Sequence, residues 1–214
     1  MLNDFKLFKD LPADESERLA AYFKQCHFAK KQHIEFSGPP RDYIYLVRSG
    51  RVKVSYLSPE GREITVTILQ PGDIYSMHSE ASATVLEAAE IWYIGLEEFK
   101  KIVMQNPNLA VNLIRILGVI LRDTNDALLN LAFKEVNSRL AKLLLKMALK
   151  TGVTTDRGVV FEPGLTHEEI ANMISSTRQT VTSILNRFEK AGIIDVQKKR
   201  ITVKNMEQLA EIIG

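Results

Sequence analysis

The hydrophobic pattern of this chain changes its period near Pro107, and that change limits the folds that the sequence can adopt. From about residue 28 to residue 95, short β-rich runs alternate with turn sequences such as SPEGR and QPGD, a pattern typical of a β-sandwich or jelly roll. Residues 107–133 then read as one long amphipathic helix with proline in its first turn. The sequence therefore predicts an α+β chain with a β-roll domain over 1–106, a long helix over 107–133 and a compact mixed domain over 134–214.

Four β-rich runs are predicted to be separate strands: YIYLV (43–47), RVKVSYL (51–57), EITVTIL (63–69) and EIWYIGL (90–96). The sequence RSG between the first two is predicted to be a turn. A further strand–turn–strand is predicted over residues 72–88, GDIYSMHSEASATVLEA. Because it places His78 among small, uncharged residues, this segment is predicted to leave space for another group.

Two apolar stripes run along the predicted long helix. The first has a 4-3-4-4-3 spacing, close to a coiled-coil seam, and consists of Leu113, Leu117, Ile120, Thr124, Leu128 and Leu131. The second consists of Ile114, Leu117, Gly118 and Leu121. Two stripes imply two neighbours, so we expect a homodimer along the first stripe and the β domain or its ligand against the second. The alternative is a helix wholly buried in the core of one monomer.

Composition narrows the class of protein. The chain has 214 residues, a net charge of +2 and a single cysteine, Cys26. A basic surface for nucleic acid must therefore be local, and an intramolecular disulfide and a four-cysteine iron–sulfur cluster are excluded. The first residues carry acids and lack a long apolar run, and no window approaches the roughly 18 apolar residues of a membrane span. A cytoplasmic protein is expected.

Residues 165–194, LTHEEIANMISSTRQTVTSILNRFEKAGII, predict a helix-turn-helix. Thr166 and Glu169 form a capping box that opens the first helix, and SST interrupts the pattern before the second. The second helix has an inward apolar face and an outward face of Arg, Gln, Thr and Ser, the side chains that bind base edges and phosphates. The inward side chains are Val181, Ile184, Leu185 and Phe188.

A basic hairpin follows the two helices. The sequence DVQKKRITV predicts two short strands with Lys198, Lys199 and Arg200 at the tip, where they suit phosphate contact. The order of capping box, turn, polar face and basic hairpin favours a DNA-binding unit over a solvated helix pair. The residues predicted to contact DNA are Thr166, Ser176, Arg178, Gln179, Thr182, Ser183, Arg187 and Lys199.

These motifs together resemble the CRP/FNR family of bacterial transcription regulators. The stretch HEEIANMISSTRQTVTSILNRFEKAGII resembles the family's DNA-binding signature, and RSGRVKV and QPGD resemble landmarks of its cyclic-nucleotide-binding-like β-roll. The resemblance implies a homodimer that binds a palindromic double-stranded operator and works with RNA polymerase as an activator. It also implies that an effector reorients the DNA-binding domains across a hinge near Phe133 and Lys134.

The effector is predicted from what the loop after QPGD contains. A cyclic nucleotide needs an arginine for its phosphate in this family, and no arginine lies between Arg62 and Arg115. We therefore expect no cyclic nucleotide, and the lack of cysteines excludes the oxygen-sensing cluster of the FNR type. The loop GDIYSMHSE instead resembles that of the carbon-monoxide-sensing haem regulators, the CooA subgroup, and LIRILG (113–118) resembles their haem-lining helix segment.

That resemblance implies a haem b whose iron is bound by His78, with CO or NO as the gas ligand. Asp42 stands where the subgroup has an asparagine that supports the histidine, and a carboxylate there would hold the Nδ1 proton and leave Nε2 for iron. The haem pocket on the helix would be Ile114, Leu117, Gly118 and Leu121. The chain departs from the subgroup at Ser76, where a cysteine is expected, and at its N-terminus, so the other iron ligand is the Met1 amine, another group or none.

Two other functions are alternatives to the haem sensor. One is the same regulator with a non-haem effector, such as a small organic acid or a cyclic nucleotide bound unusually. The other is a cupin-like metalloenzyme, which needs several clustered metal ligands that the sequence does not supply around His78. The sequence has no nucleophile constellation or phosphate loop, so we predict that the protein is not an enzyme.

Overall fold

The computed structural model describes residues 1–34, 43–76 and 81–214. The chain divides into two compact units, Met1–Arg122 and Asp123–Gly214, so that the division falls inside the long helix. Each unit has its own hydrophobic core. Within the described ranges, no helix is both long enough and apolar enough to span a membrane.

The first unit is built on an antiparallel sheet. The strand order is β1-β6-β3-β4, with β2 paired to β6 and β5 paired to β3. The strands are β1 (Lys24–Phe28), β2 (His33–Ile34), β3 (Tyr43–Leu57), β4 (Glu63–Leu69), β5 (Ile74–Ser76) and β6 (Ser82–Gly95). This sheet, together with the long helix and the C-terminal helix-turn-helix, confirms the predicted fold class.

The predicted turn at RSG was wrong. Residues 43–47 and 51–57 belong to one 15-residue strand, β3, whose pairing with β6 shifts register at three points between Val47 and Val52. β-Bulges of this kind bend a strand without ending it. Gly50 has φ +78°, and a Cβ there would lie 2.3 Å from the carbonyl oxygen of Ala88. The glycine thus marks a close backbone approach inside the strand, which the turn prediction mistook for a chain reversal.

The described part of the first unit also contains three α-helices, α1 (Ala13–Ala20), α2 (Leu96–Gln105) and the portion of α3 (Pro107–Phe133) up to Arg122. The N-terminal segment contributes Leu2, Phe5, Leu7 and Phe8 to the core, and each of these side chains is at most 1 % exposed. They pack with Trp92 and Ile94 of β6 and with Leu109 of α3. The buried amide of Asn112 on α3 donates to the carbonyl oxygen of Leu7 at 3.2 Å, which ties this segment to the long helix.

The second unit combines helices with a four-stranded antiparallel sheet of order β7-β8-β10-β9. Its apolar core is formed mainly by α4, α5 and α6 with strand residues such as Phe161 and Ile201. Its elements are α4 (Val136–Thr151), β7 (Val153–Thr155), β8 (Gly158–Phe161), α5 (His167–Met173), α6 (Arg178–Lys190), β9 (Ile194–Gln197), β10 (Arg200–Val203) and α7 (Met206–Glu211).

Candidate nucleic-acid interface and effector region

The first helix of the predicted helix-turn-helix begins at the capping box read from the sequence. The Thr166 hydroxyl accepts from the backbone N–H of Glu169 at 3.2 Å, and Glu169 Oε2 accepts from the backbone N–H of Thr166 at 2.6 Å. Both bonds satisfy donors that a helix N-terminus leaves without an intrahelical partner. Ile170 and Ile174 are buried, and Met173 is half-buried.

A short turn that contains Ser175 connects α5 to α6. Ser175 adopts φ +50°, an uncommon conformation for a residue with a side chain. Thr177 then caps α6, because its hydroxyl accepts from the backbone N–H of Thr180 at 3.1 Å. The inward face of α6 is 0–4 % exposed at Val181, Ile184, Leu185 and Phe188, which confirms the predicted apolar face.

The outward face of α6 carries most of the predicted DNA contacts. Arg178, Gln179, Ser183 and Arg187 are exposed there, and Thr182 is half-buried. Ser176 lies half-buried in the preceding turn, and Thr166 is exposed at the cap of α5. A helix with its first turn and one polar face accessible can enter a major groove.

Two of these side chains are already hydrogen-bonded within the unit. The guanidinium of Arg187 donates to Oδ1 of Asn137, near the start of α4. The Thr182 hydroxyl donates to the carbonyl oxygen of Arg178 at 3.0 Å and lies 2.9 Å from Nδ1 of His167. The sequence reading missed both partners, because a contact between residues 15 or 50 positions apart leaves no local pattern.

The predicted basic hairpin is present. Strands β9 and β10 pair with Arg200 opposite Gln197, which leaves Lys198 and Lys199 as the two-residue loop. Lys198 has φ +53°, and both lysines are exposed. Arg200 pairs with Glu162 at 2.8 Å, so the loop lysines carry the positive charge of the tip.

The predicted strand–turn–strand of the effector region is described in part. Its two strands are β5 and β6, whereas the proposed iron ligand His78 and its supporting residue Asp42 lie outside the described residues. Strand β5 pairs with β3 so that Ile44 stands opposite Ser76. In sequence, Asp42 is two residues before Ile44 and His78 is two residues after Ser76.

Among the residues that the structure describes, none packs against the centre of the second stripe of α3. A Cβ added to Gly118 would meet no atom within 4 Å. Its companions Ile114, Leu117 and Leu121 are 69 %, 53 % and 62 % exposed. These apolar side chains therefore remain available for a ligand or another chain.

The first stripe divides into two parts. Leu113 is half-buried against the core of its own unit, so it is less available to a partner helix than its spacing suggested. The later members are exposed: Leu117, Ile120, Leu128 and Leu131 by 42–64 %, together with Thr124. The alternative of a helix wholly buried in one monomer does not fit this exposure.

Two further groups bear on the effector region. Tyr43, Tyr45 and Tyr93 form a cluster in which the Tyr43 and Tyr93 rings lie 5.5 Å apart. Burial, together with the charge of Tyr43, raises the pKa of Tyr45 to about 12, so its phenol stays protonated. Burial also raises the pKa of the Cys26 thiol, in agreement with an unreactive thiol.

The N-terminal amine is engaged in an ion pair. The Met1 ammonium lies 3.0 Å from Oδ2 of Asp4, and Arg48 binds the same carboxylate. Hydrogen bonds from Arg48 and then from the N-terminus lower the pKa of Asp4. In the described residues there is also no group of three or more His, Cys, Asp or Glu side chains that could hold a metal ion.

Comparison with known proteins agrees with both halves of this description. Residues 138–212 match a Crp-like helix-turn-helix domain, and residues 25–106 match a cyclic nucleotide-binding domain. The CRP-like cAMP-activated global transcriptional regulator of Mycobacterium tuberculosis is 30% identical over 92% of this chain and 92% of its own length. The chain belongs to the CRP/FNR family of transcription regulators. It is therefore related to DNA-binding regulators rather than to enzymes.

Among solved structures, this CRP/FNR chain is similar to CooA from Carboxydothermus hydrogenoformans. A double mutant of CooA is 32% identical, with 99% of this chain and 96% of that chain covered and a TM-score of 0.89. The imidazole-bound form, described as a CO-dependent transcription factor, is 32% identical, with 99% and 97% covered and a TM-score of 0.53. These similarities support the likeness to CooA that the loop sequence indicated.

Proposed function

We propose that this DNA-binding regulator is a homodimeric sensor that holds a haem b and responds to CO or NO. The similarity to CooA along 99% of the chain carries the proposal, because it joins the two sequence features that imply haem, the GDIYSMHSE loop and the LIRILG helix segment. CooA is described as CO-dependent. We assign a gas effector to this chain from its resemblance to CooA.

The described residues fit a large apolar ligand better than an anion. The exposed stripe of Ile114, Leu117 and Leu121 with an open Gly118 offers a flat apolar wall. No arginine occurs from residue 63 to residue 114 to bind a phosphate.

Within this proposal each protein group has one task. His78 would bind the iron through Nε2, and Asp42 would accept the proton on Nδ1, which would fix the tautomer and orient the ring. Haem iron supplies the site for a diatomic gas.

The other iron ligand in this proposal is the Met1 amine, another group or none. The Met1 ammonium lies 3.0 Å from Oδ2 of Asp4. A weak ligand at that position would be displaced by the gas.

The long helix links the gas site to DNA binding in this proposal. A second copy of the chain covers Leu117, Ile120, Leu128 and Leu131, which are 53 %, 47 %, 64 % and 42 % exposed in one subunit. On gas binding, the paired helices would shift at Leu117, Gly118 and Leu121, and the shift would bring two recognition helices into register with a palindromic operator. Such a dimer would activate transcription through RNA polymerase.

Two findings support a cyclic nucleotide as the alternative effector. Residues 25–106 match a cyclic nucleotide-binding domain, and the M. tuberculosis relative is described as cAMP-activated. In this alternative a cyclic nucleotide occupies the same domain without the usual arginine. The fold and the DNA-binding unit are unchanged.

DNA affinity under different effectors separates the two candidates. Fluorescence anisotropy would follow binding of the dithionite-reduced, hemin-loaded protein to duplexes that it selects from a random library, under argon, CO or NO, and with cAMP. The haem proposal predicts that CO or NO changes the affinity, that cAMP does not, and that His78→Ala removes the gas response. His27→Ala is the matched control, since His27 is exposed on β1. A response to cAMP alone would reject the haem proposal in favour of the alternative.

A further inference from the structure

The DNA-binding unit contains a histidine to which the proposed function gives no task. His167 is the first residue of α5, and its Nδ1 lies 2.9 Å from the hydroxyl oxygen of Thr182 on α6. The same hydroxyl lies 3.0 Å from the carbonyl oxygen of Arg178. One hydroxyl group thus connects the histidine on the first helix to the opening turn of the recognition helix.

The hydrogen bonds of the Thr182 hydroxyl determine which ring nitrogen of His167 carries the proton. A carbonyl oxygen only accepts, so the single hydroxyl proton of Thr182 is donated to Arg178. The Thr182 oxygen must then accept from His167, and Nδ1 therefore carries a hydrogen. In a neutral imidazole with its proton on Nδ1, Nε2 is an acceptor. Nε2 forms no hydrogen bond with any residue in the described ranges.

Whether Nε2 carries a proton determines whether His167 binds or repels a DNA phosphate. A bare acceptor repels a phosphate oxygen, whereas an imidazolium donates a charge-assisted hydrogen bond to it. Histidine ordinarily gains this second proton near pH 6.5. We propose that His167 is a proton-linked contact to the DNA backbone: Thr182 holds the ring in the tautomer that binds phosphate only when the ring is protonated.

The charged surroundings of the pair are mixed. Glu169 is held by Thr166, Arg187 by Asn137, and Glu189 by the backbone N–H of Val196. Glu168 on α5 and Arg178 on α6, the nearest remaining charges in sequence, have opposite signs. Lys190 lies two turns of helix beyond Thr182. The phosphate is therefore the strongest new charge that the ring meets when DNA binds.

The direction of the pH effect follows from linkage. Because the complex favours the protonated ring, DNA affinity is highest at acidic pH and falls as the pH rises through the titration range of histidine. We expect a decrease of about threefold per subunit between pH 6 and pH 8, or about tenfold for a dimer.

Two substitutions at the pair separate this proposal from a general effect of pH. The full-length protein would be titrated at constant low ionic strength against a random-sequence duplex about 30 base pairs long, which suffices because phosphate contacts are independent of sequence. His167→Gln should make the affinity nearly constant from pH 6 to pH 8. Thr182→Val should also flatten the profile, but by strengthening binding at pH 8, since the neutral ring can then place its proton on Nε2 and donate it.

His27→Gln is the control for loss of a histidine elsewhere, and it should keep the wild-type profile. The proposal is overturned if His167→Gln retains the wild-type pH dependence, or if Thr182→Val gives the wild-type profile. The test needs no effector, so its result is separate from the outcome of the haem experiment.

Discussion

Replacing Gly118 by alanine tests whether a ligand approaches the long helix. Within the chain the substitution should stabilise the protein, because glycine inside a helix costs about 1 kcal/mol relative to alanine and a Cβ there meets no atom within 4 Å. The haem-free protein should therefore melt about 2–4 °C higher. If haem packs against this position, the added methyl group opposes it by about 1–3 kcal/mol, a loss of about five- to 150-fold in hemin affinity.

The assay combines thermal unfolding of the haem-free protein with hemin titration followed by absorbance. Val119→Ala is the matched control, because Val119 is the next residue along the helix, is 47 % exposed and lies outside both stripes. It should gain roughly half of the helix stabilisation and bind hemin as the wild type does. A Gly118→Ala protein that is more stable yet keeps wild-type hemin affinity would refute the assignment of this face to the ligand.

Three other substitutions test separate parts of the molecule. Leu128→Asp should dissociate the proposed dimer in sedimentation experiments, because it places a charge where a partner would bury the leucine, whose burial is worth about 1.5–3 kcal/mol per subunit. An unchanged dimer would contradict the seam. Arg178→Ala should cost about 1–3 kcal/mol on selected DNA and less on random DNA in anisotropy titrations, whereas equal losses would indicate a phosphate contact. Thr166→Ala should lower the free energy of unfolding by about 1 kcal/mol in urea, since the hydroxyl caps Glu169 N, and no change would reject that role.

Local chemistry explains why the DNA-binding unit could be predicted from the sequence in such detail. A capping box, a polar interruption and an apolar face each involve residues within four positions of one another, and Thr166, Thr177 and Val181 lie where those patterns put them. The long helix could be predicted equally well, because its hydrophobic period continues unbroken from Pro107 to Phe133.

Contacts between distant parts of the chain could not be predicted from the sequence. The burial of Phe5 and Phe8 depends on Trp92 and Leu109, and the role of Thr182 depends on His167 fifteen residues earlier. The error at RSG has the same cause: Gly50 signals a turn locally, but its close approach to Ala88 on β6 makes it a bulge. The effector region was predicted as far as its flanking strands, β5 and β6, and the roles of His78 and Asp42 stay predictions.

The absorption spectrum of the purified protein during hemin titration tests the central claim most directly. We predict one haem per subunit with a sharp Soret band that shifts when the reduced protein meets CO, and we predict that His78→Ala, but not His27→Ala, loses this spectrum. A wild-type protein that takes up no hemin, or a His78→Ala protein with the wild-type spectrum, would contradict it.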